Sequence, residues 1–212
     1  MKVTLHKQPF TFIVIDDWLD TETNKLVLDE INRLIPYMKE SKVGADTGSV
    51  IANYFKKSKN LWLYLHYKLN PHTVNIAEIF EQNLWKKEMK DLFRSTNDTA
   101  FTASLYTNHS EMLLSKYENG DHYDWHRDYS PLLTVNYMIA EEPLKFSGGA
   151  FLFGDWDNKE LSNTVEFKNN RLVVFPSRVF HKVSPVENFT GLPTEARFTI
   201  QYWGQLRYRQ EQ

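Results

Sequence analysis

The chain of 212 residues contains no cysteine. That absence removes disulfide bridges, thiolate metal sites and cysteine nucleophiles together, and it fits a reducing compartment. An excess of one charge is also missing: the formal net charge is −2 with both signs interspersed, so nothing calls for nucleic acid or an anionic membrane. No apolar run could span a bilayer, and the opening "MKVTLHKQPFTFIVIDDWLD" lacks the apolar core of a signal peptide. Internal repeats, low-complexity tracts and linkers are absent too. We therefore expect a soluble cytoplasmic protein forming one domain over 1–212.

What is present forms a core: 42% hydrophobic and 15% aromatic residues exceed what a disordered chain carries. The front of the chain is helical in pattern. "FTFIVIDDW" predicts a strand, and "DTETNKLVLDEINRLIPYM" a helix capped by Asp20 or Thr21, with Leu28, Ile31 and Ile35 at helical spacing. "NLWLYLHYKL" fits a short helix or a buried strand, and "VNIAEIFEQNLWKKEMKDLFRST" one amphipathic helix. From about residue 100 the period falls to two. "FTASLYTN", "EMLLSKYEN", "LLTVNYMIA", "GGAFLFGDW", "NTVEFKNNRLVVFP", "HKVSPV" and "ARFTIQYWGQL" read as short strands between turn residues. Such strands imply a sandwich, jelly roll or barrel. The expected class is α+β, with helices mostly from the N-terminal half packed on one sheet, 1–100 as mainly helical support and 101–212 as the β core.

"GDHYDWHRDYS", residues 120–130, contains H-x-D twice, at His122/Asp124 and His126/Asp128. Alone this spacing is a weak signal, since a polar strand end explains an isolated pair better. Further on, "NNRLVVFPSRVFHKVSPV" places His181 after an apolar strand and a Pro-Ser turn. "EARFTIQYWG" places Arg197 on a strand of mostly apolar and aromatic residues, where an arginine is rare without an anionic partner. Two histidines, one carboxylate and an inward arginine are the parts of a two-His-one-carboxylate site, which leaves one face of the metal open. Either H-x-D pair could serve. On the last strand, Arg197, Thr199, Gln201 and Trp203 share one face and Phe198, Ile200 and Tyr202 the other.

These segments resemble the Fe(II)- and 2-oxoglutarate-dependent dioxygenases, in particular the prolyl-4-hydroxylase-like branch, over most of the chain. "FIVIDDWLDTETNKLVLDEI" is similar to the family's opening strand and helix, "RLVVFPSRVFHKVSPV" to its second metal segment, and "NYMIAEEPLKFSGGAFLF" to the strand and Gly-Gly turn between. In "KYENGDHYDWHRD" the family places a tyrosine three residues before the ligand histidine; Tyr123 fits that place only for His126 and Asp128, which selects that pair over His122 and Asp124. "ARFTIQYW" keeps the family's spacing from basic residue to tryptophan, although the interval from His181 to Arg197 is longer than usual.

The resemblance implies a double-stranded β-helix (jelly-roll) catalytic core. It also implies Fe(II) on His126, Asp128 and His181, 2-oxoglutarate with Arg197 on its distal carboxylate, O2, and ascorbate as a supporting reductant. Tyr117, Tyr123 and Tyr137 become hydroxyl contacts for 2-oxoglutarate, Trp203 a cavity wall, and Trp125 and Arg127 substrate contacts. Arg178 and Arg171 stand as alternatives to Arg197, and His122 as a group orienting a ligand. The run "KKSKN" reads as a solvated face, with binding of an acidic substrate as the alternative, and 42–60 and "DWDNKEL" as lids. The implied reaction hydroxylates an unactivated C–H bond, releasing succinate and CO2, on a prolyl or other side chain of a peptide or protein. The alternatives are the same chemistry on a free amino acid or small metabolite, and a jelly-roll binding module without turnover. Asp128 argues against a halogenase, whose carboxylate ligand gives way to halide.

Overall fold

Two antiparallel sheets face each other, and helices cover the outer face of the larger one. The computed structural model describes residues 1–41, 55–70 and 74–207. Its strands are β1 (Lys2–His6), β2 (Phe12–Asp16), β3 (Lys39–Glu40), β4 (Lys56–Lys57), β5 (Lys59–Trp62), β6 (His109–Tyr117), β7 (His122–His126) and β8 (Leu133–Ile139). They continue with β9 (Ser147–Gly148), β10 (Phe151–Phe153), β11 (Asn163–Val165), β12 (Arg171–Pro176), β13 (His181–Val183), β14 (Val186–Glu187) and β15 (Arg197–Gln205). The larger sheet runs β1-β2-β12-β8-β15-β6-β5-β3 and the smaller β11-β10-β13-β7-β4, with β14 and β9 as a separate pair. This is an α+β fold with a jelly-roll core.

The helices are α1 (Thr21–Leu34), α2 (Leu63–Leu69), α3 (Ile76–Leu84), α4 (Lys87–Ser95) and α5 (Thr99–Ser104). Asp20 caps α1 by accepting from Thr23 N at 2.9 Å. Strand alternation then sorts the interior into two cores. Tyr137, Leu172, Phe198, Ile200 and Tyr202 pack beneath the helices against Trp18, Ile31, Phe80 and Phe93. Tyr117, Met138, Val173 and Phe175 face the other way and meet Phe151, Phe153 and Val183 of the smaller sheet. The second space holds the site.

Several expectations need correction. "FTASLYTN" begins as α5 because Asp98 caps it, accepting from Ala100 N at 2.9 Å. The long helix over 74–96 is two, broken at Trp85–Lys86. "NLWLYLHYKL" is both alternatives in turn, the end of β5 and then α2. The first hundred residues are more than helical support: β1, β2, β3 and β5 belong to the larger sheet and β4 to the smaller. The lid expected over 42–60 falls partly outside the described residues, and its remainder is strand. The "KKSKN" run is not a plain solvated face either: Lys57 pairs with Asp121, Lys59 with Glu118 and Glu40, and Lys56 turns inward.

Candidate active site

β7 and β13 pair with His126 opposite His181, so the two imidazoles are cross-strand neighbours with ring centres 4.1 Å apart. Asp128 lies two residues beyond β7, where its N–H donates to Ser177 O at 2.9 Å and fixes the turn. One ligating atom from each of His126, Asp128 and His181 lies within 4.8 Å of the others. Both Nδ1 atoms face backbone carbonyls, Asp124 O at 2.8 Å and Val179 O at 2.9 Å. With Nδ1–H donating there, each Nε2 keeps its lone pair for a metal. Asp128 Oδ2 accepts from Trp203 Nε1 at 2.8 Å and from the Thr134 hydroxyl at 2.7 Å. Burial holds the His126 imidazole well below its ordinary pKa; it lowers that of His181 too, against the opposing pull of Asp128. Two neutral, oriented imidazoles beside a carboxylate are what a divalent metal requires.

Simple alternation would send Tyr123 and His126 to opposite faces. The ladder from β13 to β7 instead matches Val183 with Tyr123 and His181 with His126, two steps on one strand against three on the other. The extra residue is a β-bulge. It brings the Tyr123 ring onto the His126 ring, stacked at 3.5 Å, and both line the same cleft.

Arg197 begins β15 opposite Tyr117 and is fully buried. Its Nε donates to Gly149 O at 2.8 Å, whereas both terminal nitrogens find no hydrogen-bond partner among the described residues. The guanidinium rests between the Tyr117 ring at 4.7 Å and the Phe167 ring at 5.3 Å, and burial pushes its pKa down to about 10. Gly149 makes this seat: its φ is +65°, and a Cβ there would stand 2.5 Å from Arg197 Cδ. The Tyr117 hydroxyl is likewise buried and unpartnered. Two free N–H edges in a dry pocket fit a carboxylate with bidentate geometry.

The cleft also contains residues whose placement the sequence did not suggest. Thr134 and Asn136 line it from β8, and the Asn136 Oδ1 is buried without a partner. Their signal was available, as polar side chains two apart in the apolar run "LLTVNYMIA". Lys56 enters from β4, 6% exposed, with Nζ 4.4 Å from the Tyr123 ring centre. Burial lowers its pKa to about 8, against the attraction of Asp128. Free space in the cleft is about 20 Å³, room for roughly one water. A larger guest must displace side chains, of which the Lys56 stem is the most flexible.

Other expected site residues lie elsewhere. Tyr137 is on the opposite face of β8; its hydroxyl donates to Asn24 Oδ1 at 2.6 Å and contacts Asn170 Oδ1 at 3.0 Å beneath the helices. It is not a 2-oxoglutarate contact, because its parity is that of Val135 and Ile139. Trp125 lies under Lys182 Nζ at 5.0 Å, and Arg127 covers the Phe180 ring at 3.7 Å. Neither is in the cleft wall. His122 Nδ1 contacts Gly120 O at 3.1 Å, and the residue is not in the cleft wall. Arg171 pairs with Asp16 at 2.6 Å and Arg178 is exposed, which removes both alternatives to Arg197.

Residues 112–205, which include the His-Asp-His trio and Arg197, match the family model described as the 2OG-Fe(II) oxygenase superfamily. The match runs from within β6 to the end of β15, so it is this β core that carries the 2OG-Fe(II) oxygenase pattern. Among solved structures, this oxygenase is similar to a prolyl hydroxylase from Trichoplax adhaerens in complex with a hypoxia inducible factor oxygen degradation domain peptide fragment. The TM-score is 0.65 at 19% identity, covering 92% of this chain and 83% of that one. A Pseudomonas putida prolyl-4-hydroxylase gives 0.61 at 17%, covering 92% of each chain. A viral collagen prolyl hydroxylase from Paramecium Bursaria Chlorella virus-1, in a 2OG complex, gives 0.54 at 14%, covering 92% and 96%. No curated protein matches the sequence significantly. The oxygenase is thus a 2-oxoglutarate-dependent dioxygenase with the fold of the prolyl-4-hydroxylase-like branch. Among the described residues, no helix is long and apolar enough to cross a membrane.

Proposed function

We propose that this dioxygenase, acting as one domain over 1–212, hydroxylates an unactivated C–H bond of a prolyl or other side chain in a peptide or protein, releasing succinate and CO2. His126, Asp128 and His181 hold Fe(II), and Arg197 holds the distal carboxylate of 2-oxoglutarate. The observation that carries this reading is the pairing of a compact His-Asp-His trio with a buried arginine whose terminal nitrogens are both unpaired among the described residues. An orphaned buried guanidinium costs stability, and a carboxylate ligand removes that cost. Peptide as substrate class is supported by the likeness in fold to a prolyl hydroxylase solved with a peptide.

Fe(II) and 2-oxoglutarate, when bound, supply the activation of O2 and the oxidising power. The chain's own groups do the positioning. Val179 O and Asp124 O hold the imidazole protons away from the metal side, Trp203 and Thr134 fix Asp128, and Tyr117 offers a hydroxyl beside Arg197. Tyr123 and Phe151 flank His126 and His181 with apolar ring faces that exclude water. The test is 2-oxoglutarate decarboxylation by the purified protein with Fe(II) and O2. Turnover is expected in the wild type and loss to background in His126→Ala and His181→Ala, with their folding checked by circular dichroism. Wild-type protein that binds Fe(II) yet never consumes 2-oxoglutarate refutes the reading. Faster turnover with proline-containing peptides than with free amino acids supports the peptide class.

A further inference from the structure

Three of the four lysines near the edge of the cleft have carboxylate partners. Lys57 meets Asp121 at 3.1 Å, Lys59 lies 3.8 Å from Glu118, and buried Lys116 meets Glu118 at 2.8 Å. Lys56 differs. Its strand pairs with β7 so that Lys56 stands opposite Tyr123, and its ammonium enters the cleft that holds the metal trio. There it lies over the Tyr123 ring. In the orientation of the Asn60 amide that satisfies its neighbours, Asn60 Oδ1 accepts from Lys56 Nζ at 3.2 Å. The same amide nitrogen donates to Ser115 Oγ, which donates to Gln201 Oε1 at 3.0 Å. The ammonium is thus aimed by a chain of polar groups reaching back to β15.

Charge accounting makes this lysine conspicuous. Given the reading above, the ferrous ion, Asp128, Arg197 and the 2-oxoglutarate dianion cancel, and both histidines enter neutral. Lys56 is left over, and an uncompensated charge in a closed cleft is costly. We propose that Lys56 receives a carboxylate carried by the substrate, so that the oxidised C–H bond lies near an acidic group. That group is either the α-carboxylate of a free amino acid or an Asp or Glu side chain beside the target residue of a peptide. A neutral prolyl segment would leave the lysine unpaired.

This inference rests on the proposed metal and 2-oxoglutarate sites, and its test keeps the two apart. Calorimetry under argon on protein loaded with Mn(II) and 2-oxoglutarate compares matched acid and neutral probes. L-proline is set against L-prolinamide, and capped prolyl peptides bearing Asp or Glu beside the proline against their Asn or Gln counterparts. One acid is expected to bind roughly tenfold or more tightly than its neutral partner, the worth of one charge-assisted contact. Whichever pair shows the preference identifies the source of the carboxylate. Lys56→Met should bring the ratio close to unity and Lys56→Arg should restore most of it. Equal binding of acid and neutral probes, a preference that survives in Lys56→Met, or binding by none of the acids overturns the inference. So does a loss of 2-oxoglutarate affinity in Lys56→Met as large as that in Arg197→Met, which would assign Lys56 to the co-substrate. Wild-type protein that fails to bind 2-oxoglutarate at all refutes the earlier reading instead.

Discussion

Along β15, Phe198, Ile200 and Tyr202 enter the core beneath the helices, whereas Arg197, Thr199, Gln201 and Trp203 enter the space between the sheets. The first face is complete without a ligand. Its rings pack on Trp85 and Phe80, and the Tyr202 hydroxyl accepts from Trp85 Nε1 at 3.2 Å. The second face is incomplete: both terminal nitrogens of Arg197, the neighbouring Tyr117 hydroxyl and Asn136 Oδ1 are buried and unpaired among the described residues. Orphan polar atoms also occur near the helices, at Trp18, at His66 and at Glu30 and Asn32, which lie two apart on α1 and so do not face each other. Clustering, more than mere presence, distinguishes a place meant for a guest from ordinary imperfection in packing.

The contrast can be broken by substitution. The largest stability effect belongs to the helix side, where Phe198→Ala should cost about 3–5 kcal/mol in urea unfolding. Arg197→Met should behave in the opposite way. Stability of the ligand-free protein should hold or rise, because an uncompensated buried charge is removed. Affinity for 2-oxoglutarate, followed by calorimetry with Mn(II), should fall by about 1.5–3 kcal/mol. Equal destabilisation by both changes would mean that the inter-sheet face is as structural as the other.

A smaller effect sharpens the comparison through pH. His126 and His181 have depressed pKa values in the folded protein, while the unfolded chain titrates near 6.5. Below that value the unfolded state takes up protons the native state refuses, so stability of the metal-free protein falls as pH drops from 7 to 5. The decline should be shallower when both histidines are replaced by Ala. An unaltered slope would show that other groups dominate.

Which parts of this arrangement were legible follows from period and spacing. The two faces of β15 follow from alternation in an uninterrupted strand, and the convergence of His126, Asp128 and His181 from two short motifs. Alternation was as readable in β8, where it exempts Tyr137 from the cleft and admits Asn136, yet similarity of position pointed the other way. Within "KKSKN" nothing singled out Lys56, because a run of lysines looks solvated whether or not one member turns inward, and β4 has only two residues. "FTASLYTN" misleads for a different reason: six residues can satisfy either period, and the Asp98 cap decides.

The bulge between Tyr123 and His126 has a consequence for tolerated change. Excising one residue between Tyr123 and His126 would restore plain pleating and leave both side chains opposite Val183 and His181, on the face they share now. What the excision would disturb is the local backbone that sets the Asp124 carbonyl 2.8 Å from His126 Nδ1 and so keeps that imidazole's proton away from the metal side. Length in these five residues is therefore as much a part of the metal site as the identity of its ligands.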